Sequence, residues 1–282
     1  MNMTMRKKVF FMCLSLGCAG LLASCSAEND AEGTEQASNQ KGKVTFDLAS
    51  SVEFTTGTRA VDESSYQNFD NYTVNILDNK GASKFSGTFA TLQSRLPLEL
   101  DLGSYSVSAS YGTEYDASRD GFKVEGSNTF TISAANTVTT TVNCTPTAGK
   151  VLVAFDASMS NYYDTYSVTF SGTEALGAKV ATWGKDDTQP YYLALNEDGE
   201  RVTYTIYLTA KSEFATMQNG NKVTEATATG SFILQRNAAK QLTIRPNYTP
   251  TTDGGLAVTV TIDDSTNDKP IDIEVPVSWI GN

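Results

Sequence analysis

Beyond residue 42 apolar side chains recur at every second position in run after run, a period that leaves little but strands to build with. Val44-Phe46-Leu48, Tyr72-Val74-Ile76, Leu96-Leu98-Leu100, Tyr105-Val107-Ala109 and Phe130-Ile132 each follow it. Successive side chains of a strand point to opposite faces, so each run lays one apolar row against a core. Thr, Val and Tyr are abundant throughout, and Asp78-Asn79-Lys80-Gly81 is a turn signal between two such runs. No segment keeps the 3.6-residue period of a long amphipathic helix; short helical turns are expected within residues 61–69 and 211–219.

The second half repeats the first. Val151-Val153-Phe155 answers Val44-Phe46-Leu48, Tyr166-Val168-Phe170 answers Tyr72-Val74-Ile76, and Tyr204-Ile206 answers Tyr105-Val107. Phe130-x-Ile132 leading to Thr141-Val142 is echoed by Phe232-x-Leu234 leading to Thr243-Ile244. Four matches in order predict a duplication, with loop insertions absorbing the drift in spacing. The expected fold is all-β, with two tandem antiparallel β-sandwich domains spanning residues 43–147 and 148–282 and joined near Thr145-Pro146-Thr147-Ala148-Gly149. Two further strands, around Leu256–Ile262 and Ile271–Val275, flank an acidic turn at 263–268. A terminal strand of this kind ends at a sheet edge or completes a sheet, and either place is open to exchange with another chain.

The front of the chain is an address. Arg6, Lys7 and Lys8 precede an apolar stretch from Val9 to Leu22, too short for a helix across about 30 Å of hydrocarbon but suited to a secretory signal over residues 1–24. The stretch runs into Leu22-Ala23-Ser24-Cys25, which resembles the bacterial lipobox and predicts that Cys25 is acylated and becomes the mature N-terminus. Each buried methylene contributes about 0.8 kcal/mol, so several acyl chains anchor a protein to the outer membrane without a spanning helix. Residues 25–42 read as a flexible tether. Its Ser26-Ala27-Glu28-Asn29-Asp30-Ala31-Glu32 resembles the acidic export signal of Bacteroidota surface lipoproteins, and as plain polymer it is a solvated leash.

Composition narrows the chemistry. The 282 residues hold no histidine, which removes Ser-His and Cys-His nucleophile pairs and imidazole metal sites. Net charge is −11, and loss of residues 1–24 makes it −14 because only basic groups leave; phosphate-backbone binding, and so a nucleic-acid partner, is disfavoured. Cys144 alone would remain beside the acylated Cys25, and its place in the series Val138, Thr140, Val142 predicts core packing. Asp186-Asp187, Glu197-Asp198 and Asp263-Asp264 are sequence neighbours, and on strands neighbouring side chains diverge, so solvated turns explain them better than a paired-acid catalyst. Asp263, Asp264 and Asp268 lack the alternation of a dedicated calcium loop. No catalytic residue, metal or cofactor is expected. Trp183, with Tyr191 and Tyr192 nearby, is the candidate glycan-stacking platform; the competing reading packs Trp183 in the core. Asp264-Ser265-Thr266 is similar to the O-glycosylation motif of Bacteroidota secreted proteins, with Ser265 as acceptor.

The lipobox, acidic tether and duplicated strands, with Gly103-Ser104-Tyr105-Ser106-Val107-Ser108-Ala109-Ser110-Tyr111-Gly112, Phe130-Thr131-Ile132 and Val142-Asn143-Cys144-Thr145, resemble an uncharacterised family of gut Bacteroidota lipoproteins, a domain of unknown function. The resemblance covers roughly residues 43–280. More distantly the chain is similar to fimbrillins, the pilus subunits and anchors of the same bacteria. That resemblance implies cleavage after an arginine near the end of the leader, here Arg59 before Ala60, with loss of the first strand and its replacement by a strand of another subunit. Read alone, Arg59 is an ordinary loop residue. The expected function is that of a non-enzymatic cell-surface lipoprotein, fimbrillin-like or adhesin-type, acting through sandwich edges and loops on like subunits or a host-surface ligand. The alternative is a glycan-binding surface lipoprotein of a polysaccharide-uptake system.

Overall fold

A computed structural model describes residues 40–279 except 53, 55–61, 134–135, 172–175, 178, 252–253, 265–266 and 276–277. The first half contributes β1 (Lys41–Ser50), β2 (Thr73–Asp78), β3 (Ser83–Thr88), β4 (Leu98–Asp101), β5 (Gly103–Gly112), β6 (Ala117–Ser118), β7 (Lys123–Ile132) and β8 (Thr137–Pro146). The second contributes β9 (Ala148–Phe155), β10 (Tyr163–Ser171), β11 (Ala181–Gly184), β12 (Tyr191–Ala194), β13 (Glu200–Ala210) and the small hairpin β14 (Thr216–Gln218) and β15 (Asn221–Val223). It ends with β16 (Glu225–Leu234), β17 (Ala239–Thr251), β18 (Gly254–Asp264), β19 (Asn267–Val275) and β20 (Ser278–Trp279). Among the described residues helix is confined to short turns, including 3-10 turns at Glu63–Gln67 and Ser212–Phe214 inside the two stretches where the sequence predicts them.

The halves share one topology. The first pairs its strands β3-β2-β5-β7 and β8-β1-β4; the second pairs β11-β10-β13-β16 and β17-β9-β12 in the corresponding order. Every sequence match named above falls on strands that occupy equivalent places: β1 with β9, β2 with β10, β5 with β13, β7 with β16, β8 with β17. In each half the apolar rows of both sheets enter one core. Val44, Phe46, Val142, Val74, Val107 and Phe130 share the first, and Val153, Ile244, Val168, Ile206, Phe232 and Trp183 the second.

Among the described residues the strands pair antiparallel as expected, except for one parallel pair in each sandwich. β1 runs parallel to β8, from Lys43 opposite Thr137 to Ser50 opposite Cys144, and β9 runs parallel to β17. A period of two fixes which face a side chain takes and carries no information on the direction of the neighbouring strand. The second sandwich also extends further. The hairpin β18–β19 continues its sheet beyond β17, and β20 adds to β16.

Local chemistry explains two junctions. At the β2–β3 turn the Asp78 carboxylate accepts from the backbone N–H of Ala82 and of Lys80, which together with Lys84 hold it below the ordinary carboxylate range, and Gly81 takes φ +80. In the first sandwich β7 meets β8 only at Val124–Pro146 and Glu125–Thr145. There Gly126 lies so close to β8 that a Cβ would stand 2.1 Å from the Asn143 carbonyl oxygen, a backbone atom that cannot turn away. The matching residue of the second copy is Ala228, where β16 forms no ladder with β17. Gly126→Ala is therefore expected to destabilise the chain by about 1–3 kcal/mol in chemical denaturation.

The sandwiches are not beads on a flexible string. Only Thr147, itself buried, separates β8 from β9, and β6 of the first half pairs with β12 of the second. Ala148, Tyr192 and Ala239, from the outward side of the second sheet, are buried in the first core.

Candidate functional site

The first strand is held from both sides. β1 bonds to β8 along eight residue pairs and to β4 along four, and Val44 and Phe46 are buried. The chain leaves it through Phe54, whose ring meets those of Phe122 at 5.2 Å and Tyr192 at 5.5 Å. It resumes at Asp62, which caps the 3-10 turn by accepting from Ser64 N–H. Arg59 and Ala60 lie between these fixed ends, outside the described residues. So do the lipobox Leu22-Ala23-Ser24, Cys25, the tether to residue 39, and Ser265. Of the acidic turn expected at 263–268, Asp264 ends β18 and pairs with Asn267, which begins β19.

The junction between the sandwiches contains a buried polar cluster that sequence reasoning missed. Ala239, Lys150 and Tyr192 form one row across β17, β9 and β12. The Lys150 ammonium, fully buried, donates to Glu63 Oε1 at 3.0 Å, and Tyr192 Oη donates to the same oxygen at 2.7 Å. The signal was available: Lys150 is the one charge in the apolar run Ala148-Gly149-Lys150-Val151-Leu152-Val153-Ala154-Phe155, which reads as a strand covered on both faces.

Of the two readings of Trp183, the packed one holds, and no platform forms with Tyr191 and Tyr192. Trp183 is wholly buried, edge-on to Phe170 at 5.2 Å, with its indole N–H donated to the Gln189 carbonyl at 2.7 Å. Tyr192 is buried in the junction just described. Tyr191 is half-buried and its ring is covered by the Arg119 guanidinium at 4.1 Å, itself paired with Asp187. An indole in a strand of alternating pattern turns inward once its N–H finds a carbonyl, since it then buries its area with no unpaired donor.

Cys144 packs as expected. It faces inward from β8 against the Ala109 carbonyl, and burial pushes its thiol up to about 11. Because the folded value lies above the unfolded one, the native state keeps its proton where the unfolded chain loses it, and stability falls as pH rises from about 9 towards about 11. Iodoacetamide at pH 8 is expected to leave Cys144 unmodified in the native chain and to alkylate it fully in denaturant. Rapid native labelling would show an open core at β8.

A family described as a domain of unknown function, DUF4493, matches residues 40–277. The chain belongs to the DUF4493 family. No functionally curated protein matches it. Among solved structures this DUF4493 chain is similar to a fimbrial assembly protein from Parabacteroides distasonis, with 9% identity, a TM-score of 0.42, and coverage of 83% of this chain and 98% of that one. It is similar to the fimbrial anchor protein Mfa2 from Porphyromonas gingivalis at 13% identity and a TM-score of 0.39, covering 79% and 97%. A candidate adhesin from Bacteroides ovatus aligns at 11% identity and a TM-score of 0.45, covering 86% and 95%. Among the described residues no helix is long and apolar enough to cross a membrane, and no group of three or more Cys, Asp or Glu is placed to hold a metal ion.

Proposed function

We propose that this DUF4493 chain is a non-enzymatic surface lipoprotein, anchored in the outer membrane through acylated Cys25, that works by contact as an adhesin or fimbrial anchor-type subunit and keeps its first strand. One observation carries the reading: β1 is an integral strand with partners on both sides, continuous through Phe54 with the first core. Removing it would expose the apolar face that Val44 and Phe46 cover and would unpair β8 and β4 together. A subunit that retains such a strand offers its partners other edges. β19, bonded to β18 along one side, is an edge strand of the second sandwich among the described residues and suits addition of a strand from a like or related subunit.

Cleavage after Arg59, should it occur, would leave β1 seated by its two ladders and buried side chains, so the fragments would stay together until denatured. The deciding experiment is mass spectrometry of the native protein recovered from the cell surface. The expected chain begins at a triacylated or diacylated Cys25 and is lost from the membrane fraction in Cys25→Ser. A chain beginning at Ala60 in detergent-resistant ladders would replace this reading with that of a polymerising subunit.

A further inference from the structure

We propose that the second sandwich carries a binding site for neutral glycans on the outer face of the sheet β11-β10-β13-β16, centred on Tyr207. Seven of the thirteen tyrosines are buried, whereas Tyr207 is 48% exposed in the middle of a regular strand. The register sets its surroundings. Ser167 of β10 and Thr227 of β16 lie directly opposite it on either side, and Thr205 and Thr209 precede and follow it on the same face of β13. Strands are spaced about 4.8 Å apart, so hydroxyls stand within about one sugar-ring width of the phenol ring on all four sides.

At one end of this face the surface opens into a cavity of about 330 Å³ that includes Thr165, Tyr207, Thr209 and Glu225. The opening has a backbone cause: the pairing of β10 with β13 shifts register between Tyr163 and Thr165, and such irregularities splay a ladder and re-aim its side chains. Thr165 Oγ1 donates to Thr209 Oγ1 at 2.8 Å, which fixes the cavity wall. A flat aromatic ring bordered by short hydroxyls, with one carboxylate acceptor at the edge of a cavity, matches a pyranose: an apolar ring face to cover, and equatorial hydroxyls that both donate and accept. Glu225 and the net charge of −11 select against uronates and sulfated sugars.

The duplication supplies an internal control. Aligning Tyr204-Ile206 with Tyr105-Val107 places Ser108 of the first sandwich where the second has Tyr207, on the same face of the equivalent strand. The first face keeps the hydroxyl setting, with Ser127 opposite Ser108 and Ser106 and Ser110 beside it, and has no aromatic ring there. The ring is thus particular to the second sandwich, and the equivalent face of the first forms with a serine in its place. The proposal uses a sheet face, not an edge, so it stands or falls separately from strand addition.

The test is affinity electrophoresis of the full-length lipoprotein in detergent through gels containing a neutral glucan, mannan, galactan or xylan, with polygalacturonate as the charged comparison. At least one neutral polymer is expected to retard the protein. Tyr207→Ser, the residue the first sandwich carries, is expected to weaken that retardation about tenfold while far-UV circular dichroism stays unchanged, and Tyr207→Phe to retain most of it. Absence of retardation by all four neutral polymers, retardation undiminished in Tyr207→Ser, or a preference for polygalacturonate would each overturn the proposal.

Discussion

Replacing Lys150 by methionine will cost the folded chain about 3–5 kcal/mol, although the new side chain is nearly the same length and better suited to an interior. The loss comes from what stays behind. Glu63 is 5% exposed and its Oε1 accepts from the Lys150 ammonium and from Tyr192 Oη; without the ammonium its charge is held in low dielectric with its counter-ion gone, the situation that makes breaking a buried pair severe. Glu63→Gln should be nearly as damaging for the converse reason. The combination Lys150→Met with Glu63→Leu should recover part of the loss, because two apolar groups of similar volume need no solvation, while the Tyr192 hydroxyl loses Glu63 Oε1 as its acceptor. Urea midpoints of the three variants settle the matter: a cost below about 1 kcal/mol for Lys150→Met would mean that water reaches the pair. The same bond places residue 63, at the end of the stretch holding Arg59, on β9 of the second sandwich, so these variants also test whether the junction is a hinge or a fixed contact.

How much of this was legible in the sequence differs by level. The alternating rows identified the strands and their inward faces, and the four echoes identified the duplication, because side-chain period and local turn chemistry are written residue by residue. Phe46, Val74, Val107 and Phe130 lie inward as the pattern requires. Strand direction was not legible. Nothing in Val44-Phe46-Leu48 distinguishes a parallel neighbour from an antiparallel one, and the parallel β1–β8 pair joins residues about ninety positions apart. The Glu63–Lys150–Tyr192 cluster is likewise a product of packing between halves, visible beforehand only as an anomalous lysine in an apolar run. The aromatic candidates divided on a subtler point. Trp183 follows Ala181 on the inward parity of its strand, whereas Tyr207 falls between Ile206 and Leu208 among threonines, on the outward parity. Parity alone would have favoured Tyr207 over Trp183 as a surface aromatic.

That contrast yields an equally large effect. Trp183→Ala is expected to destabilise the second sandwich by about 3–5 kcal/mol, the range for emptying the site of a buried aromatic. The indole contacts Phe170 and Tyr191 at 5.2 and 4.8 Å and satisfies the Gln189 carbonyl, so truncation removes apolar contact, leaves a void and frees an acceptor at once. Trp183→Phe should recover part of this, since a ring refills much of the volume while the bond to Gln189 is still lost. Tyr207→Ala, by contrast, should fall within about 0.5 kcal/mol of the parent, the usual range for a surface site away from packing. Thermal and urea unfolding of the three variants therefore separates a side chain that builds the fold from one displayed on it. If Trp183→Ala unfolded like the parent while losing an interaction with a glycan, the tryptophan would be a surface ligand after all, and the inward assignment of β11 would be wrong.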